Sequence, residues 1–322
     1  MRAVPVAFGG PRAWNRETLR AEDLLITLPP AWAERLRTVR TESPGAAGGP
    51  PPPAGLVGRI ARQLSDGPGV AVVRGWPLDG LGEPECHALA RWFGAYLGIP
   101  RPSDATQGHV VVAAVPPPGQ PGHPAPGPGP GAGPIRGAGP IPGAGAGVAG
   151  HDRDDRELAF HTDRAGPPGP PRILGLLCVR QAAHGGESLL VSGCTVHDRL
   201  LARHPSALPR LYRDFHFGRG DGFDRVYPVF RRRGNRLLVR YNRHWIERGG
   251  REAAAPVSSA DSAALDAFDE ILADPGSVVR IRLRPGDLLL LDNTSVLHGR
   301  TAFTDAADDP RHRRCLVRVW LD

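Results

Sequence analysis

Eight short apolar runs constrain this chain more than any other feature. They are Val70–Val73, Val110–Val115, Ile173–Val179, Ser188–Val191, Leu237–Tyr241, Val278–Leu283, Leu288–Leu291 and Leu316–Trp320, each four to seven residues long. Runs of that length, rich in Val, Ile and Leu and bounded by turn residues, read as β-strands. Arg284-Pro285-Gly286-Asp287 places Pro and Gly at the centre of a turn between two of them. Many short strands with turn signals predict a mainly β fold with flanking helices, a sandwich or a cupin-like jelly roll. No GxGxxG follows a strand, and there is no internal repeat.

Helical spacing is found at the front and in one later excursion. Residues 20–40 predict a helix broken by Pro29-Pro30, followed by a Gly/Pro/Ala loop over 44–54. From Glu83 to Leu97, Cys86, Leu89, Ala90, Phe93 and Leu97 recur three and four residues apart, with Pro84 in the first turn. Ser259–Leu272 predicts another helix, capped by Ser258-x-x-Asp261 and burying Leu265, Phe268 and Leu272. Between about Pro116 and Gly150 the composition collapses to Gly, Pro and Ala. Such a stretch has almost nothing to bury, so it reads as a disordered insertion and not as a domain boundary. The expectation is one domain over 1–322, with an N-terminal helical part at about 1–68 and the insertion at about 116–150.

The chemistry-bearing residues lie in two distant pieces, Phe160-His161-Thr162-Asp163 and Leu297-His298-Gly299-Arg300. On a strand, residues i and i+2 share a face, so His161 and Asp163 can bind one ion while Thr162 points away. His298 follows Leu288–Asp292 by a short loop and supplies a third donor from a strand distant in sequence. Two imidazoles and a carboxylate on one face of a metal leave positions open for a co-substrate and oxygen, the arrangement of non-haem Fe(II) oxygenases. Zinc accepts the same donors. Each residue alone reads as a structural histidine or acid, since the chain holds 12 histidines. What favours iron is Arg314, sixteen residues after His298 (314 − 298), and Arg318 beyond it. 2-Oxoglutarate would chelate iron through its 1-carboxylate and keto oxygen, and its far carboxylate needs a cation with bidentate geometry.

Composition removes other classes. All 40 basic residues are arginine, so Schiff-base and phosphate-loop lysines are excluded. The net charge of +7 raises the question of nucleic acid, but aromatics are only 6% of the chain and form no stripe beside the basic residues. Nucleic acid and membrane partners are therefore not expected; a small-molecule substrate and O2 are. Cys86, Cys178, Cys194 and Cys315 form no CxxC pair and read as reduced thiols. With no long apolar stretch in Met1–Trp14, the expected location is cytoplasmic.

Six stretches together carry a family resemblance: FHTD (160–163), GLLCVRQA (175–182), GGESLL (185–190), VRYNRHWIE (239–247), RPGDLLLLDNTSVLHGRTAF (284–303) and RRCLVRVWL (313–321). From about residue 69 onward the chain resembles the taurine dioxygenase/TfdA-like family of Fe(II)- and 2-oxoglutarate-dependent oxygenases, which share a double-stranded β-helix. The resemblance implies His161, Asp163 and His298 as catalytic metal ligands. It implies Arg314 for the far carboxylate of 2-oxoglutarate, Ser188 in the family's Thr/Ser position, and Arg318 near the 1-carboxylate. A surface salt bridge is the other reading of Arg318. Because Asp163 is a carboxylate and not a small residue, hydroxylation or a related oxidation is implied over halogenation. Two departures stand out: the insertion at 116–150, and the loop Arg164–Pro171 that lengthens the link from HTD to the next strand.

The substrate is read from a few residues. Glu157 lies four residues before His161, and Arg240, Asn242 and Arg243 are read as lying on a strand that faces the site. If Arg240 faces the cavity, the substrate is small and anionic or amino-acid-like; period two equally allows an outward face. The alternative reading is a catalytically altered metal-binding β-barrel whose insertions close the site.

Overall fold

The computed structural model describes residues 6–42, 49–101, 110–112, 155–165, 169–218, 225–305 and 313–322. The predicted insertion at 116–150 lies outside the described residues.

Two β-sheets face each other. Their strands, numbered in chain order, are β1 (Leu25–Thr27), β2 (Val70–Arg74), β3 (Val110–Val112), β4 (Leu158–His161), β5 (Ile173–Arg180), β6 (Ser188–Ser192), β7 (Val279–Ile281), β8 (Asp287–Asp292), β9 (Val296–Arg300) and β10 (Cys315–Leu321). The larger sheet has the order β1-β2-β8-β5-β10-β3, and the smaller β7-β6-β9-β4. All pairings are antiparallel except β1 with β2. This is the predicted jelly-roll architecture.

Period-two alternation separates three cores. Val70, Val72, Leu174, Cys178, Leu289, Leu291, Leu316 and Trp320 of the larger sheet meet Leu190, Val279, Ile281 and Val296 of the smaller one in the space between. The alternate residues of the larger sheet, among them Val73, Leu177, Leu288 and Val317, pack under α1 (Pro30–Glu42), α2 (Ala54–Ser65) and α3 (Glu83–Gly94). The outer face of the smaller sheet packs under α4 (Gly193–Arg203), α5 (Arg243–Glu252) and α6 (Ser259–Ala273). Gly175 is needed where β5 crosses β10: a Cβ there would stand 2.6 Å from Val319 Cγ2.

All eight strands predicted from the apolar runs are present. Val110–Val115 is described only to Val112, and Leu237–Tyr241 is realised as Arg236–Val239. The turn at 284–287 closes as expected, with Gly286 at φ 83° and Asp287 Oδ2 accepting from Arg284 N at 2.9 Å. Ser258 caps α6 by accepting from Asp261 N at 3.2 Å. The helix predicted over 20–40 begins only at Pro30. Before it, Leu24, Ile26 and Leu28 are buried in alternation and form β1 with its flanks, because pairing with β2 outweighs local helix preference. α2 lies in the N-terminal part expected to be helical but was not picked out as an element; its Leu56, Ile60 and Leu64 are buried at four-residue spacing, among two glycines that weaken the local signal. The four cysteines are buried and free, and burial pushes the Cys178 and Cys194 thiols up to about 12. Among the described residues no helix is long and apolar enough to cross a membrane.

Phe93 of α3 is fully buried, with ring centroids of Trp76 at 4.7 Å and Trp32 at 6.4 Å. Phe93→Ala is expected to cost about 3–5 kcal/mol of unfolding free energy, read from urea midpoints at unchanged slope.

Candidate metal centre

β9 lies between β6 and β4 in the smaller sheet, and its register builds the site. His298 pairs with His161 on one side and with Leu190 on the other, while Arg300 pairs with Ser188. The inner face of β9 thus carries Val296, His298 and Arg300, with Ser188 across from Arg300. Asp163 follows β4 directly. Its main chain is clamped by Asn293, whose Oδ1 accepts from Asp163 N at 2.8 Å and whose Nδ2 donates to Asp163 O at 3.0 Å. Thr162 points away as predicted, with its Oγ1 accepting from Tyr241 N at 3.1 Å.

His161, Asp163 and His298 form the one cluster of metal-type donors among the described residues, with donor atoms all within 4.8 Å of one another. Nε2 of each imidazole lies 3.3 Å from Asp163 Oδ1. Bonds of about 2.1 Å meeting at right angles would place neighbouring donors about 3 Å apart, so this set fits a facial three-donor site. His161 Nδ1 is 2.8 Å from Ala159 O, which fixes Nδ1 as the protonated nitrogen and leaves the Nε2 lone pair for an ion. Burial and the neighbouring His161 lower the pKa of His298, keeping it a neutral ligand. Burial opposes charge on Asp163, but Arg318 and the hydrogen bonds of both imidazoles hold its carboxyl well below the usual range. It is therefore a carboxylate at neutral pH.

Three arginines, Arg300, Arg314 and Arg318, gather near the cluster or beside one another. Arg314 is 3% exposed; the Asp305 carboxylate accepts from its main-chain N at 2.9 Å, while no ion pair joins a carboxylate to its guanidinium among the described residues. Its Nε donates to Gln181 Oε1 at 3.2 Å and its Nη2 to Gly186 O at 3.4 Å. Burial, together with Arg300, lowers its pKa to about 10, so it stays charged. Arg300 and Arg314 flank the Phe303 ring at 4.8 and 5.2 Å from its centroid. Gly186, at φ 70°, lets the chain pass Arg314; a Cβ there would come 2.9 Å from Nε. Arg318 is not a surface residue: its side chain is 13% exposed, with Nη1 3.7 Å from Asp163 Oδ2.

The substrate candidates separate. Arg240 lies with its guanidinium 4.1 Å from the Tyr227 ring centroid, and its Nη1 is buried without a hydrogen-bond partner among the described residues. Asn242 is not on a strand. It is the N-cap of α5, its Oδ1 accepting from Trp245 N at 3.2 Å. Arg243 pairs with Glu247, Asp266 and Asp269 and belongs to helix packing. The strand read through Leu237–Tyr241 stops at Val239 because Asn242 starts a helix. Glu157 is exposed just before β4. Of the lengthened loop, residues 166–168 lie outside the described residues, while Gly169 O accepts from Arg101 Nη1 at 2.9 Å and Pro171 O from Asn293. Arg300, Asn293 and Trp320 were not singled out from sequence. The i, i+2 spacing from His298 could have found Arg300; nothing local marks the other two.

The depressed His298 pKa has a consequence for stability. The unfolded chain gains a proton near the ordinary value of 6.5 and the folded chain only at lower pH, so the metal-free protein loses stability as pH falls below 6.5. Urea midpoints at about pH 7.5 and about pH 5.5 should differ more in the wild type than in His298→Asn.

Comparison with known proteins agrees with this geometry. The family model for the taurine catabolism dioxygenase TauD, TfdA family matches residues 53–320. FR-33289 synthase of Streptomyces rubellomurinus is 29% identical over 278 residues, 83% of this chain and 73% of that protein. A uridine-5'-phosphate dioxygenase from a Streptomyces species is 35% identical over 149 residues, 44% of this chain and about half (53%) of that protein. Among solved structures, asparagine oxygenase in complex with Fe(II), 3-hydroxyasparagine and succinate superposes with a TM-score of 0.63 at 21% identity, covering 92% of this chain and 93% of that one, and shows the shared fold. The chain belongs to the TauD/TfdA family of Fe(II)- and 2-oxoglutarate-dependent oxygenases.

Proposed function

We propose that the protein hydroxylates a small anionic substrate while 2-oxoglutarate is converted to succinate and CO2, one oxygen atom of O2 entering the substrate and the other the succinate. The observation that carries this reading is the convergence of His161, Asp163 and His298 near the buried guanidinium of Arg314, which forms no ion pair with a carboxylate among the described residues. Iron, when bound, supplies the redox chemistry that activates oxygen.

The chain's own residues bind and orient. His161, Asp163 and His298 are the metal ligands, held by the Ala159 carbonyl, the Asn293 amide and the β9 register. Arg314, with Ser188 on the facing strand, is the seat of the far carboxylate of 2-oxoglutarate. A buried cation without an ion-pair partner is costly, and a dicarboxylate ligand offsets that cost. Arg318, beside Asp163, is placed to meet the near carboxylate. Arg240 is the anchor for the substrate's anionic group, which its buried and unpartnered Nη1 supports. The name of the uridine-5'-phosphate dioxygenase, which denotes an anionic substrate, is in line with this class. Asn242, spent on a helix cap, and the exposed Glu157 have weaker claims.

Anaerobic addition of Fe(II) and 2-oxoglutarate should produce a weak visible charge-transfer band that His161→Ala abolishes. Arg314→Ala should raise the 2-oxoglutarate concentration needed for the band by roughly 10–100-fold, the loss of a hydrogen bond to a charged group. No band from intact protein would turn the assignment toward a metal-binding barrel that no longer catalyses. Succinate release across a panel of small carboxylates, phosphates and amino acids should be stimulated by an anion. Arg240→Gln should raise the concentration of that anion required by roughly tenfold or more.

A further inference from the structure

Asp163 has two carboxylate oxygens, and the structure gives them different tasks. Oδ1 faces both imidazoles at 3.3 Å. Oδ2 accepts a hydrogen bond of 2.7 Å from the indole Nε1 of Trp320, and both side chains are buried. We propose that Trp320 is a positioning residue for the metal centre, engaging Oδ2 so that Asp163 offers the ion a single oxygen. This inference rests on the reading of Asp163 as a ligand.

Three features support it. First, Trp320 is itself fixed. It lies on β10 opposite Leu174, in the core between the sheets, and the guanidinium carbons of Arg164 and Arg318 lie 4.9 and 4.7 Å from its ring centroid. Cations over an indole favour its orientation. Second, Arg164 reaches that position from a left-handed backbone, φ 54°, directly after the ligand. A non-glycine residue there carries strain of about 1–3 kcal/mol and persists where surrounding contacts over-determine it. Third, Asn293 holds the main chain of Asp163 but touches neither carboxylate oxygen, and of the groups beside Oδ2 the indole N–H at 2.7 Å is closer than Arg318 Nη1 at 3.7 Å.

The chemistry explains why this matters. An ion that accepts six donors has three positions free when the protein supplies three. A co-substrate binding through two oxygens takes two of them, and O2 needs the last. A carboxylate free to bind through both oxygens would compete for that position.

The test uses cobalt(II) as a spectroscopic probe of the metal-free full chain. Trp320→Phe keeps the ring bulk and removes the N–H, while Trp320→His keeps a ring N–H. Trp320→Phe is expected to weaken cobalt binding by roughly 10–100-fold and to change the visible ligand-field absorption, with Trp320→His intermediate in both. Cobalt affinity and spectrum in Trp320→Phe equal to wild type would overturn the proposal. So would equal losses in the Phe and His variants that follow only a lowered melting temperature. If wild-type protein and Asp163→Ala bind cobalt alike, the ligand reading fails first and takes this inference with it.

Discussion

His298 stands directly across from His161 because β9 pairs antiparallel with β4, and the remaining features of the site depend on that register. A slip of one residue would turn one imidazole to the opposite face of the sheet. The pairing is set by fit on both sides of the sheet. Leu297 is buried in the core under α4–α6 and Val296 in the core between the sheets, so exchanging them would reverse both patterns. Gly299 makes the close approach possible, since a Cβ there would meet Leu158 O at 2.7 Å. A register irregularity between His298 and Arg300 lets the two strands match again at Leu158. The same strand pairs on its other edge with β6, which brings Ser188 across from Arg300.

Around this register the charge balance is lopsided. Asp163 is the carboxylate of the metal cluster, whereas Arg300, Arg314 and Arg318 are all largely buried near it or beside one another. Taking the guanidinium of Arg314 out of water beside another cation is costly, and its lowered pKa expresses that cost. A metal ion would add positive charge. The two carboxylates of 2-oxoglutarate would offset that charge. The indole of Trp320 contributes differently: it satisfies a carboxylate oxygen without adding charge.

Much of this was legible in the chain. Period-two apolar runs marked the strands, and the i, i+2 spacing of His161 and Asp163 marked one edge of the site, because strand geometry is local. Where the reading departed, a non-local partner was responsible. Leu24–Leu28 reads as helix until it meets β2. Asn242 reads as strand because the capping bond to Trp245 N competes with continued pairing, and nothing in the run VRYN decides between them. Trp320 reads as core, and it is core; its N–H acquires a role only because Asp163 comes to lie beside it from 157 residues away.

The sequence by itself determined the residue types, the alternation that buries one face of each strand, and hence a jelly roll carrying two histidines, an aspartate and distant arginines. Only the tertiary structure decided which oxygen of Asp163 faces the imidazoles, that Arg300 joins Arg314 around Phe303, and that Arg243 serves packing while Arg240 keeps a free nitrogen. The physical reason is that alternation is a property of a few consecutive residues. Hydrogen-bond partners and charge neighbours are chosen across strands, where register and packing bring distant side chains within about 3–4 Å of each other.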